Sequence, residues 1–219
     1  AITVRWSAMI NLIIERGNIA KRQRNFRRGR IIDQTLTTCG KYGDVITLSR
    51  IHALGDYASA FKWPWYIYKE AARHGQVGMM AYIDGYYHSN PESDKHRNWG
   101  GYQHGDAMNS VMNEPFTESS VRVMSYLMSE GLSLRDVLNR ASGSGDPRWL
   151  AHYAQDLKPS YSDVDWDEIL DNALESGHWD NVQLCLERLP PKNLDDLMVL
   201  FLKKESKTGV DYVMKRANI

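Results

Sequence analysis

Residues 165–191 read DWDEILDNALESGHWDNVQLCLERLPP, and this stretch decides the fold. Asp165 stands three residues before Glu168, the spacing of a capping box ahead of a helix over WDEILDNALES. Gly177 then supplies a left-handed C-terminal turn, because only glycine enters that backbone region freely. A second helix, HWDNVQLCLERL, follows at once and is stopped by Pro190 and Pro191. The unit is a helix, a tight glycine turn and a second helix.

The same unit is legible on either side. Upstream, Asp146-Pro147 starts a helix over RWLAHYAQDLK, with the carboxylate accepting backbone N–H groups and proline occupying a position that needs no donor. Downstream, Asn193 caps LDDLMVLFLKKESK, with Asp195 and Asp196 set against the N-terminal dipole, and VDYVMKRANI begins another helix after Gly209. Gly145, Gly177 and Gly209 are spaced by 32 and 32 residues. In register stand Val137-Leu138, Ile169-Leu170 and Phe201-Leu202 before them, and Leu150, Val182 and Met214 after them, all expected in the core. Gly43 and Gly75 are again 32 apart, between IIDQTLTTCGKYG and DVITLSRIHAL and between PWYIYKEAARHG and QVGMMAYIDGYY. AMNSVMN and SSVRVMSYLMSEG supply one more pair in the longer gap, with Thr117 capping its second helix and Gly131 ending it. A hairpin repeated at such a period cannot bury its apolar face alone, so neighbours stack. The expected fold is all-α: a short α-solenoid of about six stacked helix hairpins running as one array over residues 1–219, with an inserted loop.

AARHGQVGMMAYI and ALESGHWDNVQLCLERL resemble the helix–turn–helix of ankyrin repeats, and SAMINLIIERGNI resembles its second helix. ESGHWDNVQLCLERLPPKN is similar to the second half of a tetratricopeptide repeat, with Gly177, Trp179 and the proline pair at matching places. These resemblances imply an architecture of stacked hairpins; they name no activity.

Composition narrows the classes. The chain of 219 residues is 42% hydrophobic and 25% charged, which excludes a mostly disordered polypeptide. No apolar run approaches the roughly 18 residues of a membrane-spanning helix, so no membrane partner is expected. Cys39 and Cys185 are too few and too far apart for a disulfide framework, which points to the cytoplasm or another reducing compartment. The formal net charge of zero hides an asymmetry: residues 1–60 hold ten Lys/Arg against four Asp/Glu, and residues 121–219 hold twelve against sixteen.

Two segments stand out from the repeats. Residues 17–30, GNIAKRQRNFRRGR, read as a basic linker in which Lys21, Arg22, Arg24, Arg27, Arg28 and Arg30 surround Phe26. Such density suits phosphates and stacked bases, or an acidic protein surface. Residues 84–106 read as an inserted His- and aromatic-rich loop, with His88, His96 and His104 at eight-residue intervals and Trp99 and Tyr102 beside them. Imidazoles among carboxylates are a ligand or metal signal, but the spacing fits no helical metal motif, so neither a metal nor a cofactor is assigned. No G-x-S-x-G, phosphate-binding glycine loop or paired metal-binding cysteines occur.

The leading expectation is a non-enzymatic scaffold or adaptor that binds another protein on its helical-repeat surface. The alternative is nucleic-acid binding through residues 21–30, and the third reading is a metal- or ligand-dependent enzyme built on the 84–106 loop. Residues 3–16 read as a second helix lacking its first, so a longer array or a covering subunit is expected there.

Overall fold

The computed structural model describes residues 27–53, 65–89, 101–155, 157, 164–188 and 193–217. Twelve helices and no strand occur among them: α1 (Arg27–Tyr42), α2 (Val45–Ala53), α3 (Trp65–Arg73), α4 (Val77–Ser89), α5 (Gly101–Met112), α6 (Glu118–Ser129), α7 (Leu134–Ser142), α8 (Arg148–Ala154), α9 (Trp166–Ser176), α10 (Trp179–Arg188), α11 (Leu194–Lys203) and α12 (Lys207–Arg216). The chain divides into two compact units, residues 1–110 and 111–219.

Local chemistry explains where helices begin. Thr117 and Ser120 form a reciprocal capping box at α6, and the side chains of Ser133, Asp165, Asn193 and Ser206 accept backbone N–H groups at α7, α9, α11 and α12. Glu168 does not complete a box with Asp165. Its carboxylate instead accepts from Asn139 and Arg135 of α7.

Helix ends follow one repeated motif. At Gly43, Gly75 and Gly131 the backbone φ is +67°, +73° and +102°. In each case the next residue donates five residues back, as in Asp44 N–H to Cys39 O at 3.0 Å and Gln76 N–H to Ala71 O at 2.8 Å. Glu205, at φ +54°, closes α11 the same way through Ser206 N–H to Phe201 O.

In the first unit α1 packs on α2 and α3, α3 on α4, and α2 on α4. Leu36 and Cys39 of α1, Tyr68 and Ala71 of α3, Leu48 of α2 and Met80 of α4 are buried, and each pair across hairpins keeps the 32-residue offset. A Cβ on Gly40 would come 2.7 Å from the Ile67 carbonyl oxygen, so α1 and α3 meet backbone to backbone there. In the second unit α7 packs on α8 and α9, α9 on α10, α8 on α10, and α11 on α12. Its core is Val137, Leu138, Trp149, Leu150, Ile169, Leu170, Val182, Cys185 and Phe201, all at or near zero exposure. Each large aliphatic among them contributes roughly 1.5–3 kcal/mol through burial.

Polar side chains tie one hairpin to the next. Asn181 is fully buried, and its amide donates to the carbonyls of Ala141, Ser142 and Ser144 at 3.3, 2.9 and 2.8 Å, taking up acceptors at the end of α7. Ser144 Oγ donates to Met112 O at 3.1 Å, and Gln76 Nε2 to Lys41 O at 3.3 Å.

Several expectations are corrected. Gly209 is not a turn residue; it lies inside α12 and its Cα faces the Phe201 ring. The turn there is at Glu205, so Leu202 is 60% exposed instead of buried, and Val213 takes the core place expected for Met214. The 84–106 segment is not one loop, because residues 84–89 finish α4 and residues 101–106 open α5. Residues 27–30 belong to α1, so the basic linker does not extend to Arg30 as a linker. The residue 3–16 helix lies outside the described residues.

Candidate functional site

The two sequence-selected segments are placed unequally. Lys21, Arg22, Arg24 and Phe26 lie outside the described residues, as do His96 and Trp99. Arg27, Arg28 and Arg30 fall in the first turn of α1, and Tyr102 in that of α5, where the backbone alone is described. His88 and His104 are described in full, and they meet different atoms of Asp84. His88 is exposed on α4, with Nδ1 2.8 Å from the Asp84 carbonyl oxygen one turn earlier. His104, on α5, is buried.

His104 belongs to a closed cluster in the first unit. Tyr68 of α3 donates its phenol to Asp84 Oδ2 of α4 at 2.8 Å. His104 Nε2 lies 3.7 Å from Asp84 Oδ1, and its ring stacks on Tyr68 with centroids 5.8 Å apart. The three residues retain 1–4% exposure. A hydroxyl, a carboxylate and an imidazole are the parts of an acid–base site, yet a substrate needs an approach, and all three side chains here are buried. It pins three helices together around a shared polar contact. Among the described residues, no three His, Cys, Asp or Glu side chains gather where a metal ion would sit.

Burial pushes the thiols of Cys39 and Cys185 up to about 12, with the charge of Asp44 adding to the effect at Cys39. Neither has the thiolate character of a nucleophile.

A surface groove lies on the second unit, between α10 and α12. A groove of about 520 Å³ is bounded by Trp179, Gln183, Asp211, Tyr212, Met214 and Lys215. Trp179 and Tyr212 meet edge to face with ring centroids 5.5 Å apart, and Trp179 leans on the buried Phe201 at 6.0 Å. Arg216 covers the outer side of Tyr212 at 5.1 Å. Gln183, Asp211 and Lys215 are exposed along the rim. Behind Trp179 a second hollow of about 190 Å³ opens at the hairpin turns, among Ser144, Gly145, His178, Asp180 and Asn181. Half-buried aromatics braced from behind and ringed by polar side chains offer contact area at little entropic cost. Sequence reasoning passed over this groove, treating Met214 as core and Trp179 only as a repeat-family match. The available signal was the i, i+4 pairs Trp179/Gln183 and Asp211/Lys215, which line facing sides of adjacent helices.

Ion pairs mark the opposite helices of this unit. Lys204 Nζ lies 2.9 Å from Glu175 and 3.4 Å from Asp171, and Arg135 pairs with Glu168 at 2.5 Å. No helix of the described residues is long and apolar enough to cross a membrane. The chain matches no protein-family model, and comparison with curated proteins and with solved structures likewise found no match.

Proposed function

We propose that this protein is a protein-interaction scaffold whose hairpins stack as a short α-solenoid, and that the α10–α12 groove contacts the partner. The stacking is supported by contacts that join α1 with α2, α3 with α4, α7 with α8, α9 with α10 and α11 with α12, and that also link first helices to first helices, α1 with α3 and α7 with α9, and second helices to second helices, α2 with α4 and α8 with α10. The observation that carries the functional reading is the groove itself: Trp179 and Tyr212 form its floor, and Gln183, Asp211 and Lys215 its exposed rim. An extended peptide or a helix from another protein would bury the aromatics and pair with the rim.

The test is affinity capture from native lysate with the parent chain and with a Gln183→Glu/Asp211→Lys variant, each with and without nuclease. Both substitutions are at exposed positions and leave Trp179 and Tyr212 in place. A set of proteins held by the parent and lost by the variant, unaffected by nuclease, is the expected result. Capture that disappears with nuclease and persists in the variant would instead favour the nucleic-acid reading, which charge reversal within residues 21–30 would then locate. Equal capture of the same proteins by both chains would remove the groove from the function.

A further inference from the structure

The last described hairpin carries an exposed apolar stripe where its predecessor is polar. Counting from the capping residues Asp165 and Asn193, α11 repeats α9 at an offset of 28 residues. Asp171 and Glu175 of α9 thus correspond to Val199 and Lys203 of α11, and Leu174 corresponds to Leu202. On α9 this edge meets the following hairpin through Lys204. On α11 the equivalent edge is bare: Val199 is 65% and Leu202 60% exposed. Single exposed aliphatics are ordinary, but two adjacent ones on a helix edge whose counterpart on α9 carries the charged, solvent-facing Asp171 and Glu175 are a docking feature.

The charges around the stripe say what covers it. Asp195, Val199 and Lys203 succeed one another at four-residue intervals, so they share one helix face with Leu202 between the last two. All four are exposed, and among the described residues neither Asp195 nor Lys203 has an ion-pair partner. At about 1.5 Å rise per residue, the two charges stand about 6 Å on either side of Val199. A copy of the same helix laid antiparallel, with Val199 on Val199, sets each Asp195 against a Lys203 twice over. A parallel copy would set Asp195 on Asp195 and Lys203 on Lys203. The pattern is therefore self-complementary about a two-fold axis, and antiparallel alignment also opposes the helix dipoles.

We propose that α11 is a self-association face, through which two copies of this chain pair antiparallel about Val199, with Leu202 packed beside it and two Asp195–Lys203 ion pairs closing the ends. One helix pair is small for a stable interface, so the dimer is a weak one, with a dissociation constant in the range of about 1 µM to 1 mM.

Sedimentation equilibrium of the full chain over that concentration range reads this out. The parent is expected to show a reversible monomer–dimer equilibrium, and Val199→Glu to remain monomeric with an unchanged melting temperature. Asp195→Lys and Lys203→Asp should each weaken the dimer at least about tenfold, because each creates two like-charge pairs. Their equimolar mixture should regain dimer, since a mixed pair sets both lysines of the Asp195→Lys chain against both aspartates of the Lys203→Asp chain. That recovery also excludes misfolding as the cause of the single-variant losses. A monomeric parent at all concentrations, a dimer indifferent to Val199→Glu, or a mixture no more associated than its components would each overturn the proposal. A monomer whose α11 variants lose capture of a different protein assigns the face to that partner and overturns it equally.

Discussion

The phenol of Tyr68 and the carboxylate of Asp84, 16 residues apart on α3 and α4, share a 2.8 Å hydrogen bond at a site with almost no exposure to water. Removing the hydroxyl leaves the ring volume in place but deprives a buried carboxylate of this donor. Tyr68→Phe is therefore expected to cost about 1.5–3 kcal/mol of unfolding free energy in urea titration, with an unchanged denaturant slope. A neutral result would mean that the cluster is dispensable to the first unit.

Gly177 and Gly209 carry the same residue in the same sequence register, yet they should fail differently. Gly177 has φ +73° at the end of α9, and an added Cβ would meet nothing within 4 Å. Gly177→Val should cost about 1–2 kcal/mol from backbone strain alone, whereas Gly177→Asn should cost only a few tenths of a kcal/mol because asparagine tolerates the left-handed region. Gly209 has ordinary helical geometry, where alanine would normally stabilise by about 1 kcal/mol. Here the new Cβ would sit 2.6 and 2.8 Å from Cδ1 and Cδ2 of the fully buried Phe201 ring, so Gly209→Ala should instead destabilise by about 1–3 kcal/mol. Thermal melts of the three variants give the comparison, and a stabilised Gly209→Ala would refute the close packing of α11 on α12.

That pair also shows what the sequence disclosed. Caps are local, so Thr117, Asp165 and Asn193 could be read directly from residue type and position. The 32-residue offset holds where Gly43 and Gly75 both end helices in the left-handed conformation. It fails at the last hairpin, because the α9–α10 unit before it is four residues shorter from cap to cap, 28 from Asp165 to Asn193 against 32 from Ser133 to Asp165. Four residues are about one helical turn, so the deletion preserves which face is apolar and leaves no break in the hydrophobic pattern. The turn passes to Glu205, a residue type that gives no warning of positive φ, and Gly209 is left in the first turn of the next helix. The Tyr68–Asp84–His104 cluster joins three helices across 37 residues of sequence, a proximity that only tertiary packing creates. The histidine spacing that drew attention to His88 and His104 joins residues on different helices, one exposed and one buried.

The cysteines make a chemical prediction. Cys39 and Cys185 are 3% and 0% exposed, and burial pushes both thiols up to about 12. At pH 8 the native chain should react with a thiol-specific disulfide reagent far more slowly than free cysteine, at both positions, because reaction requires the thiolate and access to it. In denaturant both should titrate at once. Fast labelling of one thiol in the native state would show that its helix opens locally, and peptide mapping would identify which.

The last prediction concerns acid stability. Asp146 accepts the guanidinium of Arg148 at 2.6 Å and the backbone N–H groups of Phe116 and Arg148 at 3.1 Å each. The Arg148 hydrogen bond is the main cause that holds the carboxyl down at about 2, against the opposing effect of burial. The folded chain thus binds this proton less tightly than the unfolded chain, whose aspartates titrate near pH 4. The resulting stabilisation is complete above about pH 4 and is lost as pH falls towards 2. Asp146 also positions Phe116, whose ring packs edge to face on Trp149 at 4.9 Å, so the carboxylate couples the α5–α6 connection to the start of α8. Asp146→Asn keeps an acceptor for the Phe116 N–H but removes the titration. Its unfolding free energy should be lower than the parent's by on the order of 1 kcal/mol above pH 5, after allowance for solvent screening of the exposed Arg148. Between about pH 4 and pH 2 the gap should close, because the parent loses what the variant never had. Arg148→Gln, which takes away the principal cause, should behave like Asp146→Asn in the slope of stability against pH while retaining the carboxylate. Urea titrations of the three proteins at half-unit pH intervals provide the measurement, and other carboxylates cancel because only differences between proteins are read. Parallel curves for parent and Asp146→Asn across the whole range would show that the Asp146–Arg148 pair contributes nothing to folding.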